Sequence, residues 1–74
     1  MKKYLYEIFE VTEGLNSEET NVNVDSLAIL SLMAVIRKET GTTINPSSLE
    51  PIQDTEISLD NLNTFLKDLK IGWN

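Results

Sequence analysis

"NVDSLAILSLMAVIRKETG", residues 23–41, is the stretch whose reading decides the fold. A polar approach ends at Asp25-Ser26, and over residues 27–36 only Ser31 interrupts a run of apolar side chains. Ile29, Leu32, Met33 and Ile36 recur at steps of three and four, so they share one face of a helix, with Leu30 on its flank. A smaller mixed strip of Leu27, Ser31, Ala34 and Lys38 has the spacing of an exposed ridge. Either Asp25 or Ser26 can accept a hydrogen bond from the free N–H groups of the first turn. Arg37 and Lys38 suit the negative end of the helix dipole, and Gly41 suits a left-handed stop. The spacing therefore predicts a helix over residues 25–40.

Upstream, Leu5, Ile8 and Phe9, widened by Tyr4 and Val11, predict a helix over residues 2–12, with Glu7 and Glu10 toward water and Gly14 as its stop. Residues 15–24 read as a loop, because Asn, Ser and Thr compete with helical hydrogen bonding. The alternation in "NVNVD" is strand-like, yet no convincing partner lies nearby in the sequence. Downstream, residues 42–55 form a connection with at most one short helical turn. Asn45-Pro46-Ser47-Ser48 opens that turn, Pro51 closes it, and Ile44, Leu49 and Ile52 anchor it. A last helix is predicted over residues 58–69, capped by Ser58, with Asp60 in its first turn and a face of Leu59, Leu62, Leu66 and Leu69 beside Phe65. Gly72 ends it, with Trp73 beyond. The expectation is one all-α domain over residues 1–74: three main helices plus one short turn, packed antiparallel or crosswise.

Composition narrows the function. The chain has 74 residues, 41% hydrophobic and 24% charged, in the range of a small folded domain with a single thin core. It contains no cysteine and no histidine. A disulfide framework, a thiolate metal site and a Ser-His-Asp hydrolase are thereby excluded. Twelve acidic residues against six basic ones give a net charge of −6, a poor match for nucleic acid or an anionic membrane and a natural match for a basic protein. No apolar run is long enough to span a bilayer, and residues 4–11 hold two glutamates, which disqualifies them as a signal-peptide core. A cytoplasmic, monomeric, non-enzymatic protein is the expectation. Asp54, Glu56 and Asp60 lack the spacing and glycine of a calcium loop and read as solvated carboxylates. The single glycines cannot cradle a phosphate.

The Asp25-Ser26-Leu27 boundary gains meaning from its setting. A serine opens a long apolar helix, second in a small acidic helical chain, followed by a glycine, Ile44, a short turn and an amphipathic last helix. In this the sequence resembles the acyl and peptidyl carrier proteins, small domains bearing a 4′-phosphopantetheine arm. "DSL" at residues 25–27 matches the attachment motif. "ILSLMAVIRKETGTTI", residues 29–44, resembles the family's second helix, with Leu30, Leu32, Met33, Ile36 and Ile44 on its apolar positions. The likeness in architecture runs over nearly the whole chain, and that in sequence over residues 25–44.

The resemblance implies that Ser26 Oγ receives phosphopantetheine from coenzyme A through a separate phosphopantetheinyl transferase. The arm's thiol would then hold an acyl or aminoacyl cargo as a thioester. Asp25 is implied as cap and, with Leu27, as part of the motif the transferase recognises. A phosphodiester there would lie near free N–H groups and the positive end of the dipole. A carrier needs no His or Cys of its own, since its reactive thiol belongs to the cofactor. Cargo-loading and cargo-processing enzymes would meet the second helix at Ala28, Ser31, Ala34, Arg37 and Lys38. An acyl cavity, if formed, would be lined by Leu32, Met33, Ile36, Ile44, Leu49, Leu62 and Leu66, the same residues a small bundle needs for its core. This sequence departs from the family in having Asn23 where a glycine is common, and in lacking the acidic second helix of fatty-acid carriers. A dedicated partner set, as in secondary-metabolite or aminoacyl-carrying pathways, is therefore expected. The alternative is an unmodified acidic helical module that binds a partner through the Leu27/Ala34 ridge.

Overall fold

The computed structural model describes residues 1–11 and 20–74. Its elements run α1 (Lys2–Ile8), β1 (Asn21–Asn23), α2 (Ser26–Thr40), a 3-10 helix (Pro46–Ile52), β2 (Glu56–Ser58) and α3 (Leu59–Asp68). The expected stop at Gly14 and the loop at residues 15–19 lie outside the described residues.

The second helix is built as its sequence predicts. Asp25 is its N-cap, with the carboxylate accepting from Ala28 N at 2.9 Å, and Gly41 closes it at φ +74 with its N–H donating to Arg37 O. Ala28, Ile29, Leu32 and Ile36 face inward. The last helix is capped by Ser58, whose Oγ accepts from Asn61 N at 3.1 Å, and it buries Leu59, Leu62 and Leu66. The first helix stops four residues before the predicted end. Phe9 is its C-cap and Glu10 takes the left-handed conformation at φ +55. Glu10 N donates to Glu7 O and Val11 N to Tyr6 O, the paired bonds of a Schellman stop. Glycine usually holds this position, so a glutamate gives no sequence signal of the stop.

Two expectations change. The chain is helical but not all-α: β1 and β2 pair antiparallel, in the register Asn21↔Ser58, Val22↔Ile57, Asn23↔Glu56. Val24 continues the contact, donating to Thr55 O at 2.9 Å and accepting from Asp54 N at 2.7 Å. The strand-like "NVNV" alternation is thus real, with Val22 and Val24 buried and Asn21 and Asn23 exposed. Its partner was hidden because three residues, Glu56-Ile57-Ser58, are too short to register as a strand. The connection before β2 also holds more than one turn: the 3-10 helix spans seven residues and carries Pro51 inside it. A proline that would break an α-helix is accommodated at the end of a short 3-10 run. Asn45 opens that run, its side chain accepting from Ser47 N at 3.1 Å.

The core joins Leu5 of α1, Val22 and Val24, the inner face of α2, Ile44, Leu49 and Ile52, the inner face of α3, and Trp73. Trp73, left unplaced by the sequence, folds back to only 4% exposure, its indole N–H donating to Asn63 Oδ1 at 2.8 Å. Gly72, at φ +90, makes the turn that returns it. α1 lies against both α2 and α3, while the 3-10 helix packs on α2.

Candidate functional site

Ser26 is the first residue of α2 and is exposed. The capping duty falls to Asp25, which sits in an extended conformation with its carboxylate engaged on Ala28 N. Ser26 Oγ makes no hydrogen bond among the described residues, so its hydroxyl is not committed to the fold. The segment leading to it is held from behind. The two Val24–Asp54/Thr55 hydrogen bonds tie the chain two residues before Ser26 to the segment that leads into β2. Asp54 adopts φ +58 there, a left-handed conformation that short polar side chains tolerate better than most. A loop–helix corner thus presents a hydroxyl to solvent from a braced backbone.

The residues expected on the partner face separate into two groups. Ser31, Ala34, Arg37 and Lys38 are exposed, as is Leu27 at 72%. Ala28 is not: it is buried at 7% exposure, on the inner side of α2. The resemblance to the carrier proteins places it on the partner face, but at about 100° per residue it lies far round the helix from Leu27. Leu30, assigned to the flank of the core, is 63% exposed. It lies three residues after Leu27 and four before Ala34, so the same angular step places it on the outer ridge, a signal the 3/4 pattern of the core obscured. The outer face of α2 therefore carries Leu27, Leu30, Ser31, Ala34, Arg37 and Lys38.

The candidate cavity residues also divide. Leu32, Ile36, Leu49, Leu62 and Leu66 are fully buried members of the common core. Met33 is half-buried and, together with the core residue Ile44, lines a surface groove of about 180 Å³ with Ala34, Arg37 and Thr43. Thr43 was not anticipated; its only sequence signal is adjacency to Ile44. The groove runs along the C-terminal half of α2 rather than between α2 and α3.

The pKa of Tyr4 is raised above its ordinary value, first by its hydrogen bond to Glu39 Oε2 at 2.8 Å, then by desolvation and by the charges of Glu39 and Glu7. That bond fixes Glu39, the one carboxylate of α2, against α1. Among the described residues, no group of three His, Cys, Asp or Glu side chains could hold a metal ion, and no helix is long and apolar enough to cross a membrane. The chain matches no family model, no curated protein and no solved structure.

Proposed function

We propose that the chain is an acyl or aminoacyl carrier, modified at Ser26 with 4′-phosphopantetheine and itself without catalytic activity. The observation that carries the reading is the exposed, uncommitted Ser26 hydroxyl at the first turn of α2, beside a capping Asp25 that leaves it free. A serine that served only as a cap would have its Oγ on a backbone N–H of the first turn. The helix N-terminus offers free N–H groups and a positive dipole to the phosphodiester that would form there. The transfer breaks the pyrophosphate bond of coenzyme A. Ser26 Oγ forms the new ester to phosphorus, 3′,5′-adenosine diphosphate leaves, and the serine proton passes to the transferase's base. Afterwards Ser26 does no chemistry. The chain's part is to hold the arm's root on a rigid corner while the thiol at its far end carries the thioester. Enzymes of a dedicated lipid or secondary-metabolite pathway would load and process that cargo.

The test is the intact mass of the full chain after incubation with coenzyme A, Mg²⁺ and a broad-specificity phosphopantetheinyl transferase. One added phosphopantetheine is expected on the natural chain and none on Ser26→Ala. An unchanged mass on a chain whose Trp73 emission shows it folded rejects the carrier. That result favours the second reading, an unmodified interaction module, which rests on the exposure of Leu27 and Leu30.

A further inference from the structure

The chain reverses direction after α3. That helix ends at Asp68, and Trp73 then lies back beside Asn63, donating its indole N–H to that side chain at 2.8 Å. The strap thus retraces about 7.5 Å of helix. The reversal passes through Lys70 at φ +56 and Gly72 at φ +90. Glycine takes a left-handed conformation freely, whereas the Cβ of a lysine crowds the backbone there and its side chain is not the short polar kind that compensates. Strain therefore sits at Lys70, in the hinge itself. The strap is held by the body of the fold rather than by its hinge: Trp73 is bonded to Asn63, and Ile71 O accepts from Thr42 Oγ1 at 3.2 Å. Leu69 and Ile71 are half-buried, and Lys70, Gly72 and Asn74 are exposed, so Trp73, at 4% exposure, is the main anchor.

We propose that this strap exchanges between two copies of the chain, the Trp73 of each seating against the Asn63 of the other. In the closed chain the strap runs antiparallel to its own α3. Two copies with their α3 helices antiparallel and the C-terminal ends adjoining offer the same relation without a reversal. A strap that leaves one α3 in a straight line then travels along the other α3 from Asp68 toward Asn63. Residues 70–73, extended, reach about 13 Å, enough for that path. Every contact of the closed strap is made again, and Lys70 leaves the left-handed region in both copies. A short hinge under strain is the circumstance that favours such an exchange. Closure within one copy has proximity on its side, so the exchanged dimer is the form of high concentration. The inference does not depend on modification of Ser26, and the unmodified chain tests it.

The experiment follows the full chain from micromolar to millimolar concentration by size-exclusion chromatography with light scattering. An equal mixture of isotope-labelled and unlabelled chains then reads the exchange itself, through filtered NOEs between Trp73 of one copy and Asn63 of the other. The natural chain is expected to be monomeric at micromolar concentration and to form a dimer at millimolar concentration, with those NOEs crossing between copies. Lys70→Gly, which makes the turn without strain, should weaken the dimer about a hundredfold, about tenfold for each hinge. Lys70→Pro, whose φ is fixed negative, cannot make the turn. It should raise the dimer fraction at every concentration while Trp73 keeps the emission of a buried indole. The proposal is overturned if Lys70→Pro stays monomeric with Trp73 in solvent, or if Lys70→Gly dimerises as well as the natural chain. It is also overturned if the Trp73–Asn63 NOEs of the natural chain at millimolar concentration arise only within single copies.

Discussion

Asp25 and Ser26 divide two duties that the sequence left shared between them. Asp25 holds the helix start through its bond to Ala28 N, and Ser26 Oγ has no hydrogen-bond partner among the described residues. Asp25→Ala should therefore cost about 1 kcal/mol of stability, with Asp25→Asn costing much less, because asparagine caps nearly as well. Ser26→Ala should stay within about 0.5 kcal/mol of the natural chain. Urea unfolding followed by Trp73 emission measures all three. A large loss in Ser26→Ala would mean that its hydroxyl serves the fold after all, and the site reading would lose its footing. The cap was legible because its residue types and position are local. The exposure of Leu30 and the burial of Ala28 were not, since both follow from which way α2 is turned against the core. Two adjacent residues such as Ala28 and Ile29 can share the buried side while Leu30 lies outside.

The three α-helices were legible from apolar spacing, and the caps at Asp25, Gly41 and Ser58 marked their ends. What escaped was pairing between distant segments. Asn21–Asn23 and Glu56–Ser58 are each three residues long, and their cohesion comes from each other and from Val24's two bonds to the turn before β2. That ladder braces the backbone just ahead of Ser26. Val24 is fully buried, so Val24→Ala removes two methyl groups from the core and loosens the brace at once. A loss of about 2 kcal/mol in urea unfolding is expected. Amide exchange should also quicken at Val24 and Asp54, whose N–H groups bond across that junction, more than in α1. Uniform protection across the chain in that variant would show that the ladder is not a separate brace.

The helices close into one molecule through contacts at the far end from Ser26. Trp73 is sealed into the core by the turn at Gly72 and by its bond to Asn63, an arrangement with no periodic signal because it lies beyond the last helix. Trp73→Ala should cost about 3 kcal/mol, and Trp73→Phe, which keeps most of the packing but loses the indole bond, about 1 kcal/mol. Comparable losses for the two would assign the strap's hold to the hydrogen bond rather than to burial. Tyr4 ties α1 to α2 through Glu39. Its folded pKa is raised above the ordinary tyrosine value of about 10, so the folded chain holds the phenolic proton more tightly than the unfolded one. The stabilisation is complete below that ordinary value and is lost as pH rises through the raised one. Tyr4→Phe should flatten this alkaline decline in melting temperature, and an unchanged decline would place its origin elsewhere.

All of this serves one corner of the molecule, where a braced backbone turns into α2 and offers a serine to solvent. The chain holds other serines, including Ser31, exposed further along the same helix, and Ser47 and Ser48 within the 3-10 helix, and each provides a control within the same sample. Digestion of the transferase-treated chain and fragmentation of its peptides will show which serine bears phosphopantetheine. The arm is expected on Ser26 alone. Its appearance on another serine, or on none in a folded chain, would contradict the account.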